Sequence, residues 1–296
     1  MTHPYATEGY ARSLGHWGDA FHVPEWGSYV MLREIPGGGD AAGTYPIAVL
    51  APGADVAAGL ERLRRSGVVS ITLVLDDFNR PSLDELGRCF QVINRFKTHY
   101  LRRGAMPFSY GKHHRYEVRR AAKRVTVRPF ALADHAGEWS TLYAGLVRRL
   151  GLTGVHDFPP AHHEALQQLG GLTSIGAWLN DELVCAHLWV SDGRHVHSHL
   201  AASSGAGYEA GAAYAVYDAS IRHFSEAELI NFGGGAGIGD DPDDGLARFK
   251  RGFANDRASA YLCGAILDAG LYDKLVRQKG VPPDTLYFPA YRARTD

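Results

Sequence analysis

The amino-acid sequence predicts an α/β fold in which mixed sheets are flanked by helices and divided between two domains. Two observations favour this class. The chain has 296 residues, and the usual size of a domain then predicts one large or two medium-sized units. Short strands rich in β-branched residues also alternate with amphipathic helices along the chain, which is typical of sheets covered by helices.

The composition is that of a globular protein with reduced cysteines. Apolar residues make up 45% of the chain and charged residues 21%, which excludes wholesale disorder. Cys89, Cys185 and Cys263 are far apart and outside any C-x-x-C spacing, which argues against a disulfide framework and a zinc site. The N-terminus lacks the layout of a signal peptide, and there is no long uncharged apolar run. We therefore expect a cytoplasmic protein without membrane insertion.

The first third of the chain predicts three strands and two helices. Residues 68–75 are β-branched and nearly all apolar, as in a strand covered on both faces. Ser82, with Glu85 three residues later, predicts a capped helix start. The predicted strands are 29–32, 46–50 and 68–75, and the predicted helices are 55–65 and 82–103.

The remaining two thirds predict a longer series of elements. Pro159 and Pro160 suit the first turn of a helix, and Asn180 with Asp181 suits the turn of a hairpin. The predicted strands are 125–130, 172–179, 183–190, 194–201, 228–232 and 261–267, with a final strand at 287–291. The predicted helices are 135–150, one that begins at Pro160, 207–224 and 244–253.

Basic residues are concentrated in one segment, although the net charge of the whole chain is only −1. Between Arg88 and Arg128 there are twelve Lys or Arg and one acid, a charge of +11. If residues 112–124 are helical, five of these side chains share one broad face. They are Arg115, Arg119, Arg120, Lys123 and Arg124. The pattern is typical either of a solvated helix face or of a surface that binds RNA or phosphate.

A glycine-rich loop at residues 233–239 lies between a predicted strand and a predicted helix. Its spacing fits neither G-x-G-x-x-G nor G-x-x-x-x-G-K-[ST], and the acidic run that follows it would repel phosphate. We expect a flexible loop, with Asp243 or Asp244 capping the next helix.

Three histidines alternate along one predicted strand, at His195, His197 and His199. Together with His187 on the neighbouring strand they could hold a metal ion. Steps of two residues separate the rings too widely for easy sharing of one ion. The favoured interpretation is that these histidines are structural or line a pocket, with no metal bound.

The helix at 244–253 contains the most specific candidate. Leu246, Phe249 and Phe253 form an apolar stripe, and Lys250 lies at its edge. A lysine held against apolar surface is partly desolvated, so its charge acts strongly on a group bound beside it. In acyl transfer such a charge would stabilise an oxyanion. The alternative is a lysine that extends past a core helix into solvent.

Several runs of the sequence resemble the Fem-type aminoacyltransferases and their GNAT-like relatives. The specific part is the element Phe249-Lys250-x-Gly252-Phe253. The runs 196–203 and 231–234 and the basic run 115–123 add to it. The resemblance extends over about residues 110–267 and is only architectural before them.

This resemblance implies two tandem GNAT-like domains, at 1–110 and 111–282, with residues 283–296 returning to the first. It implies transfer of an aminoacyl group from aminoacyl-tRNA to an amine of a small peptide, an antibiotic intermediate or a peptidoglycan precursor. No cofactor or metal is implied. The alternatives are an N-acyltransferase that uses acyl-coenzyme A and a binding module without activity. The coenzyme-A pattern is not met at residues 204–207, which favours the tRNA donor.

The resemblance also implies roles for individual residues. Lys250 is the expected catalytic group, with Phe249 beside it at the aminoacyl ester. The basic run is expected to hold tRNA. Contacts to the acceptor amine are expected from Arg148, Arg149, His197 and His199. If a general base is used, His197 or His199 is expected to be that base.

Overall fold

The computed structural model describes residues 2–104, 106, 108–237, 239–282 and 284–293. The chain divides into two compact units. The central unit is Lys97–Ala258, and the terminal unit is Thr2–Phe96 together with the residues from Ser259 onward. Each unit contains a mixed sheet with helices beside it, which confirms the predicted fold class. None of the described helices is long and apolar enough to cross a bilayer.

The strands are β1 (Asp19–Val23), β2 (Ser28–Ile35), β3 (Gly38–Gly43), β4 (Val68–Asp76), β5 (Val92–Arg103), β6 (Thr126–Phe130), β7 (Leu172–Leu179), β8 (Glu182–Ser191), β9 (His195–Ser203), β10 (Leu229–Asn231) and β11 (Asp256–Ile266). The helices are α1 (Glu8–Ser13), α2 (Val56–Arg65), α3 (Leu83–Gly87), α4 (Lys112–Ala122), α5 (Ala136–Leu150), α6 (Pro160–Leu166), α7 (Gly205–Ala210), α8 (Ala212–His223), α9 (Gly245–Arg251) and α10 (Ala269–Lys279).

In the terminal unit the strand order is β1-β2-β3-β4-β11. Only β3 and β4 among these neighbours run parallel, and the other pairs are antiparallel. Helix α2 packs its buried Leu60 and Leu63 into a core that contains Ile71 and Leu73 of β4. Burial of such side chains is the main favourable term in folding of this unit.

In the central unit the strand order is β5-β10-β9-β8-β7-β6. Strands β9 and β10 are parallel, and the other neighbours are antiparallel. Helix α8 packs on β7 and β8, and α5 packs on β8 and β9. The core between α8 and the sheet includes the fully buried Trp189, Phe232 and Phe253. Dense packing therefore fixes the positions of strands and helices around the candidate site.

The prediction of a helix over residues 82–103 is wrong after its first turn. Ser82 and Glu85 form the predicted capping box, and α3 ends at Gly87. The chain then enters β5, in which residues 97–101 are all buried. Five consecutive buried residues suit a strand covered on both faces, whereas a helix would bury only one stripe of them.

Three other predicted elements differ from the structure. The helix predicted over 207–224 is two helices, because Gly211 between α7 and α8 has a left-handed backbone with φ +72°. Residues 46–50 form no strand, although Ala48 N donates to Val74 O of β4 at 2.8 Å. The predicted final strand is replaced by a short 3-10 turn, Ala290–Arg292.

Candidate active site

Lys250 lies on α9, which begins after Asp244. The Asp244 carboxylate accepts hydrogen bonds from Leu246 N at 2.8 Å and Ala247 N at 3.0 Å, which confirms the predicted cap. The Lys250 side chain does not extend into solvent. Only 9% of the residue is exposed, and its Nζ donates to Gly234 O at 2.7 Å.

The environment of Lys250 disfavours its charge. Burial lowers the pKa of the ammonium group to about 8; Asp244 opposes this shift and Lys97 adds to it. At neutral pH the group is therefore still mainly charged, in a place where few solvent dipoles screen it. A buried cation of this kind acts strongly on a negative charge formed beside it.

A second lysine, Lys97 of β5, contacts the same glycine-rich loop. Its Nζ donates to Ala236 O at 3.1 Å and also to Gly239 O. Asp244 accepts from Ala236 N at 3.2 Å on the other side. The expected flexible loop is thus held by two lysines and an aspartate. Lys97 is not among the residues predicted from the sequence, because its segment, β5, is predicted there as part of a helix.

Phe249 belongs to an aromatic wall beside Lys250. Its ring lies 4.7 Å from Tyr217, 4.9 Å from Tyr214 and 5.2 Å from Phe253, measured between centroids. All three neighbours are tilted edge-to-face, an arrangement that favours a fixed packing geometry. Phe249 thus has a fixed place in the core, one residue before the buried Lys250.

Helix α4 reaches the same wall through His114. The His114 ring is buried, its Nε2 lies 2.9 Å from Phe249 O, and its ring lies 4.8 Å from that of Phe253. A Cβ atom on Gly252 would lie 1.9 Å from Cε1 of this ring. The glycine of the Phe-Lys-x-Gly-Phe element is therefore needed for space, because α4 could not approach α9 past a larger residue.

The charge of Lys250 also acts on a buried histidine, His187 of β8. Burial, with a contribution from the charge of Lys250, lowers the pKa of His187 well below its usual value. Its ring stacks on Trp189 at 3.8 Å, and its Nε2 lies 2.8 Å from Ser198 Oγ. Its Nδ1 has no hydrogen-bond partner among the described residues.

A β-bulge in β9 changes the expected alternation of histidines. Leu188 pairs with Leu200 and Trp189 with Ser198, so His199 is an extra residue in β9. Such bulges redirect side chains and bend the strand. The His199 ring lies 6.1 Å from that of His162 on α6. His197 and His199 are both buried, and burial lowers the pKa of His197 to about 4.

Arg148 and Arg149 lie in the last turn of α5, and both are exposed. The Arg149 guanidinium stacks over the ring of Tyr208 at 4.4 Å and donates to the Tyr208 hydroxyl at 2.7 Å. It also donates to Ser203 O, at the end of β9. Their role toward an acceptor stays a prediction.

The basic residues of α4 do not all face solvent equally. Arg115, Arg119 and Lys123 are exposed and follow one another at intervals of four residues. Arg120 instead forms an ion pair with Glu117 at 2.9 Å, and Arg124 donates to the backbone of Glu209 at 3.0 Å. The exposed cations that have no partner among the described residues thus form a narrower stripe than the sequence predicted. We call Arg115, Arg119 and Lys123 the basic stripe.

Comparisons with known proteins match both the sequence and the fold. Residues 112–251 match the family described as acetyltransferase (GNAT) domain. No curated protein matches the sequence. Among solved structures, FemX is similar with 14% identity over 92% of this chain and 95% of its own, at a TM-score of 0.63.

Two further structures are similar in fold, one of them from a protein described as a lysylphosphatidylglycerol synthetase. The C-terminal domain of one from Agrobacterium fabrum has 14% identity over 92% of this chain and 90% of its own, at a TM-score of 0.64. L-PGS from Bacillus licheniformis has 11% identity over 88% and 92%, at a TM-score of 0.60. The resemblance to Fem-type, GNAT-like proteins is therefore confirmed as a likeness of fold.

Proposed function

We propose that the chain is an acyltransferase that moves an aminoacyl group from aminoacyl-tRNA to an amine of a small peptide, an antibiotic intermediate or a peptidoglycan precursor. The observation that carries this proposal is the arrangement around α4. Its outer side presents the basic stripe, and its inner residue His114 contacts Phe249, next to the buried Lys250. The GNAT family match and the likeness of fold to FemX support acyl transfer.

Lys250 is suited to the chemistry of this transfer. The ester that joins an amino acid to tRNA is already activated, so the enzyme needs mainly to position the reactants and to stabilise the oxyanion. An ammonium group has three donors, and one of those on Lys250 bonds to Gly234 O. The remaining N–H groups can donate to the ester oxygen as negative charge develops there.

The basic stripe supports a nucleic-acid donor rather than a small one. Phosphate groups along the stripe would release counterions and relieve the repulsion between its cations. Tyr116, which is 61% exposed, lies on the same helix between Arg115 and Arg119, where an unpaired base could stack on it.

The acceptor amine is proposed to approach from the side of β9. His197 and His199 lie on this strand, and Arg149 reaches its end at Ser203. Arg148 and Arg149 are cations that suit a carboxylate or phosphate of a peptide or cell-wall precursor.

The second candidate is an N-acyltransferase that uses acyl-coenzyme A, which the description of the matching family favours. The two candidates differ in the donor, so one assay separates them. The protein is incubated with a peptide amine and either a pool of tRNAs charged with labelled amino acids or labelled acetyl-coenzyme A. Our proposal expects a labelled amide only with charged tRNA, formed about 10²- to 10³-fold more slowly by Lys250→Met. Label from acetyl-coenzyme A alone would establish the second candidate.

A further inference from the structure

A serine and a histidine outside the proposed roles form a hydrogen-bonded pair at the same site. Ser198 Oγ lies 2.8 Å from His187 Nε2, and Lys250 is close enough to lower the pKa of that histidine. His187 is 1% exposed, whereas Ser198 is only partly buried. Ser198 is thus the more exposed member of the pair.

Ser198 also lies where two parallel strands separate. The pairing of β9 with β10 ends at His197 and Asn231. The chain after Asn231 continues along β5 instead, with Phe232 N donating to Tyr100 O and Tyr100 N to Gly233 O. Ser198 is thus the first residue of β9 past the end of the ladder, level with the start of the loop that binds Lys250.

We propose that Ser198 and His187 form a proton relay for the attacking amine. This inference rests on the proposed amide-forming function, because it assigns the proton that the amine must lose. Ser198 would contact the amine directly, and His187 would act through Ser198.

In a single transfer the relay moves one proton from the amine to the leaving ribose oxygen. The amine nitrogen forms a bond to the ester carbonyl carbon, and the carbonyl electron pair moves to the oxygen beside Lys250. The amine proton passes to Ser198 Oγ while the Ser198 proton passes to His187 Nε2. When the carbon–oxygen bond to the ribose breaks, the same proton returns through Ser198 to the leaving ribose oxygen.

The surroundings of His187 suit this task. Burial, with a contribution from the charge of Lys250, keeps the ring neutral at pH 7, and in the tautomer that carries its proton on Nδ1 the Nε2 atom accepts from Ser198. The ring stacks on Trp189 at 3.8 Å and lies 4.9 Å from Tyr217, which holds it in one orientation. Its Nδ1 lacks a hydrogen-bond partner among the described residues, so no neighbouring group fixes which ring nitrogen carries the proton.

The first test compares transfer rates in three variants of the full chain. Ser198→Ala removes the hydroxyl and is expected to lower kcat by about 10²-fold or more, the usual contribution of acid–base catalysis, with little change in KM. Ser198→Thr keeps a hydroxyl and is expected to recover most of the rate. His187→Gln can accept a hydrogen bond but not a proton, so it should lose as much as Ser198→Ala. Full activity of Ser198→Ala would overturn the relay.

The second test needs no turnover, so it separates the relay from the proposed function. Nitrogen-15 NMR of the histidine rings, with His187→Gln to assign the signal, reports which nitrogen carries the proton. The relay requires an unprotonated Nε2 that accepts from Ser198 at pH 7. A proton on Nε2 overturns the relay even if transfer from tRNA is observed. An unprotonated Nε2 in a protein that uses no tRNA would leave the relay standing and refute the tRNA donor.

Discussion

The Lys250 ammonium group donates to one backbone carbonyl, while its burial disfavours the charged form. The group is buried, its neighbour Lys97 is also a cation, and Asp244 offers only partial compensation. A shift of the pKa from 10.5 to about 8 corresponds to about 3 kcal/mol between the charged and neutral forms. A protein gains nothing in stability from such a group, so its cost indicates a role in binding or chemistry.

Replacing Lys250 by methionine separates the effect of its charge on turnover from the effect of its charge on stability. Lys250→Met keeps most of the packing volume and removes the charge. Loss of one oxyanion donor is expected to lower turnover by about 10²- to 10³-fold, while the melting temperature stays equal or rises because no ammonium group is desolvated. Turnover and thermal unfolding are measured on the same preparation. An active Lys250→Met enzyme would exclude the catalytic role.

The same group predicts how stability depends on pH. Because the pKa of Lys250 is lower in the folded protein, the unfolded chain binds more protons between about pH 8 and 10.5. The free energy of unfolding should therefore rise with pH across this range, by up to about 3 kcal/mol from this group. Urea unfolding at pH 7.5 and 10 measures it in the wild type and in Lys250→Met. An equal change in the free energy of unfolding between the two pH values in both proteins would contradict the lowered pKa of Lys250.

Helix α4 carries both the exposed basic stripe and the buried ring of His114. The sequence predicts this helix and, within a basic face of five residues, the stripe that the structure leaves exposed, because spacing determines which side chains share a face. It cannot predict that Arg120 pairs with Glu117 or that Arg124 reaches the backbone of Glu209. Such partners depend on the neighbouring helices, which only the fold brings together.

Removing two charges from the basic stripe tests its role. Arg119→Gln with Lys123→Gln is expected to weaken tRNA binding and to reduce the slope of log affinity against log salt by about two. Stability should change little, because exposed charges contribute little to it.

The matched control removes two exposed cations from α10 in the terminal unit. Arg277→Gln with Lys279→Gln gives the same change of net charge and is expected to leave the salt slope unchanged. Equal slopes in all three proteins would indicate that the stripe is simply solvated.

Some strands of this fold are predictable from the sequence, and others are not. The hairpin strands β7 and β8 are predicted almost to the residue, because Asn180 and Asp181 adopt the positive φ of a tight turn between them. Strand β5 is not predicted from the sequence. Its first half contains both partly buried and exposed residues, and the capped start of helix α3 lies just before it in the chain. Lys97 is missed with it. The sequence indicates His187 only as a possible metal ligand, because its proposed role depends on Lys250, more than sixty residues away in the printed sequence.

At the scale of the molecule, buried histidines make the fold sensitive to acid. The chain has 15 histidines, and several in the central unit are almost inaccessible. Burial lowers the pKa of His163 and His197 to about 4, and those of His187 and His199 well below their usual value. These rings stay neutral in the folded protein while they become charged in the unfolded chain below about pH 6.5.

Unfolding should accordingly take up protons in mild acid. Near pH 5.5 we expect these four groups to bind about three protons or more on unfolding, so the free energy of unfolding falls steeply as pH decreases from 6.5. Urea titrations at pH 7, 6 and 5.5 give the slope. His163→Gln should reduce the uptake by about one proton, and the exposed His223→Gln should leave it unchanged. A slope equivalent to less than one proton would refute the prediction.

The contact of Gly252 with the His114 ring also limits how this protein can change over generations. The backbone at Gly252 has φ −69° and ψ −14°, which any amino acid can adopt, so local conformation does not demand glycine. The constraint comes from a ring on another helix, which occupies the volume of the missing methyl group. Substitutions at the two positions are therefore epistatic. Alanine at position 252 becomes acceptable only in descendants that already carry a smaller residue at position 114, and the two columns should covary across homologues.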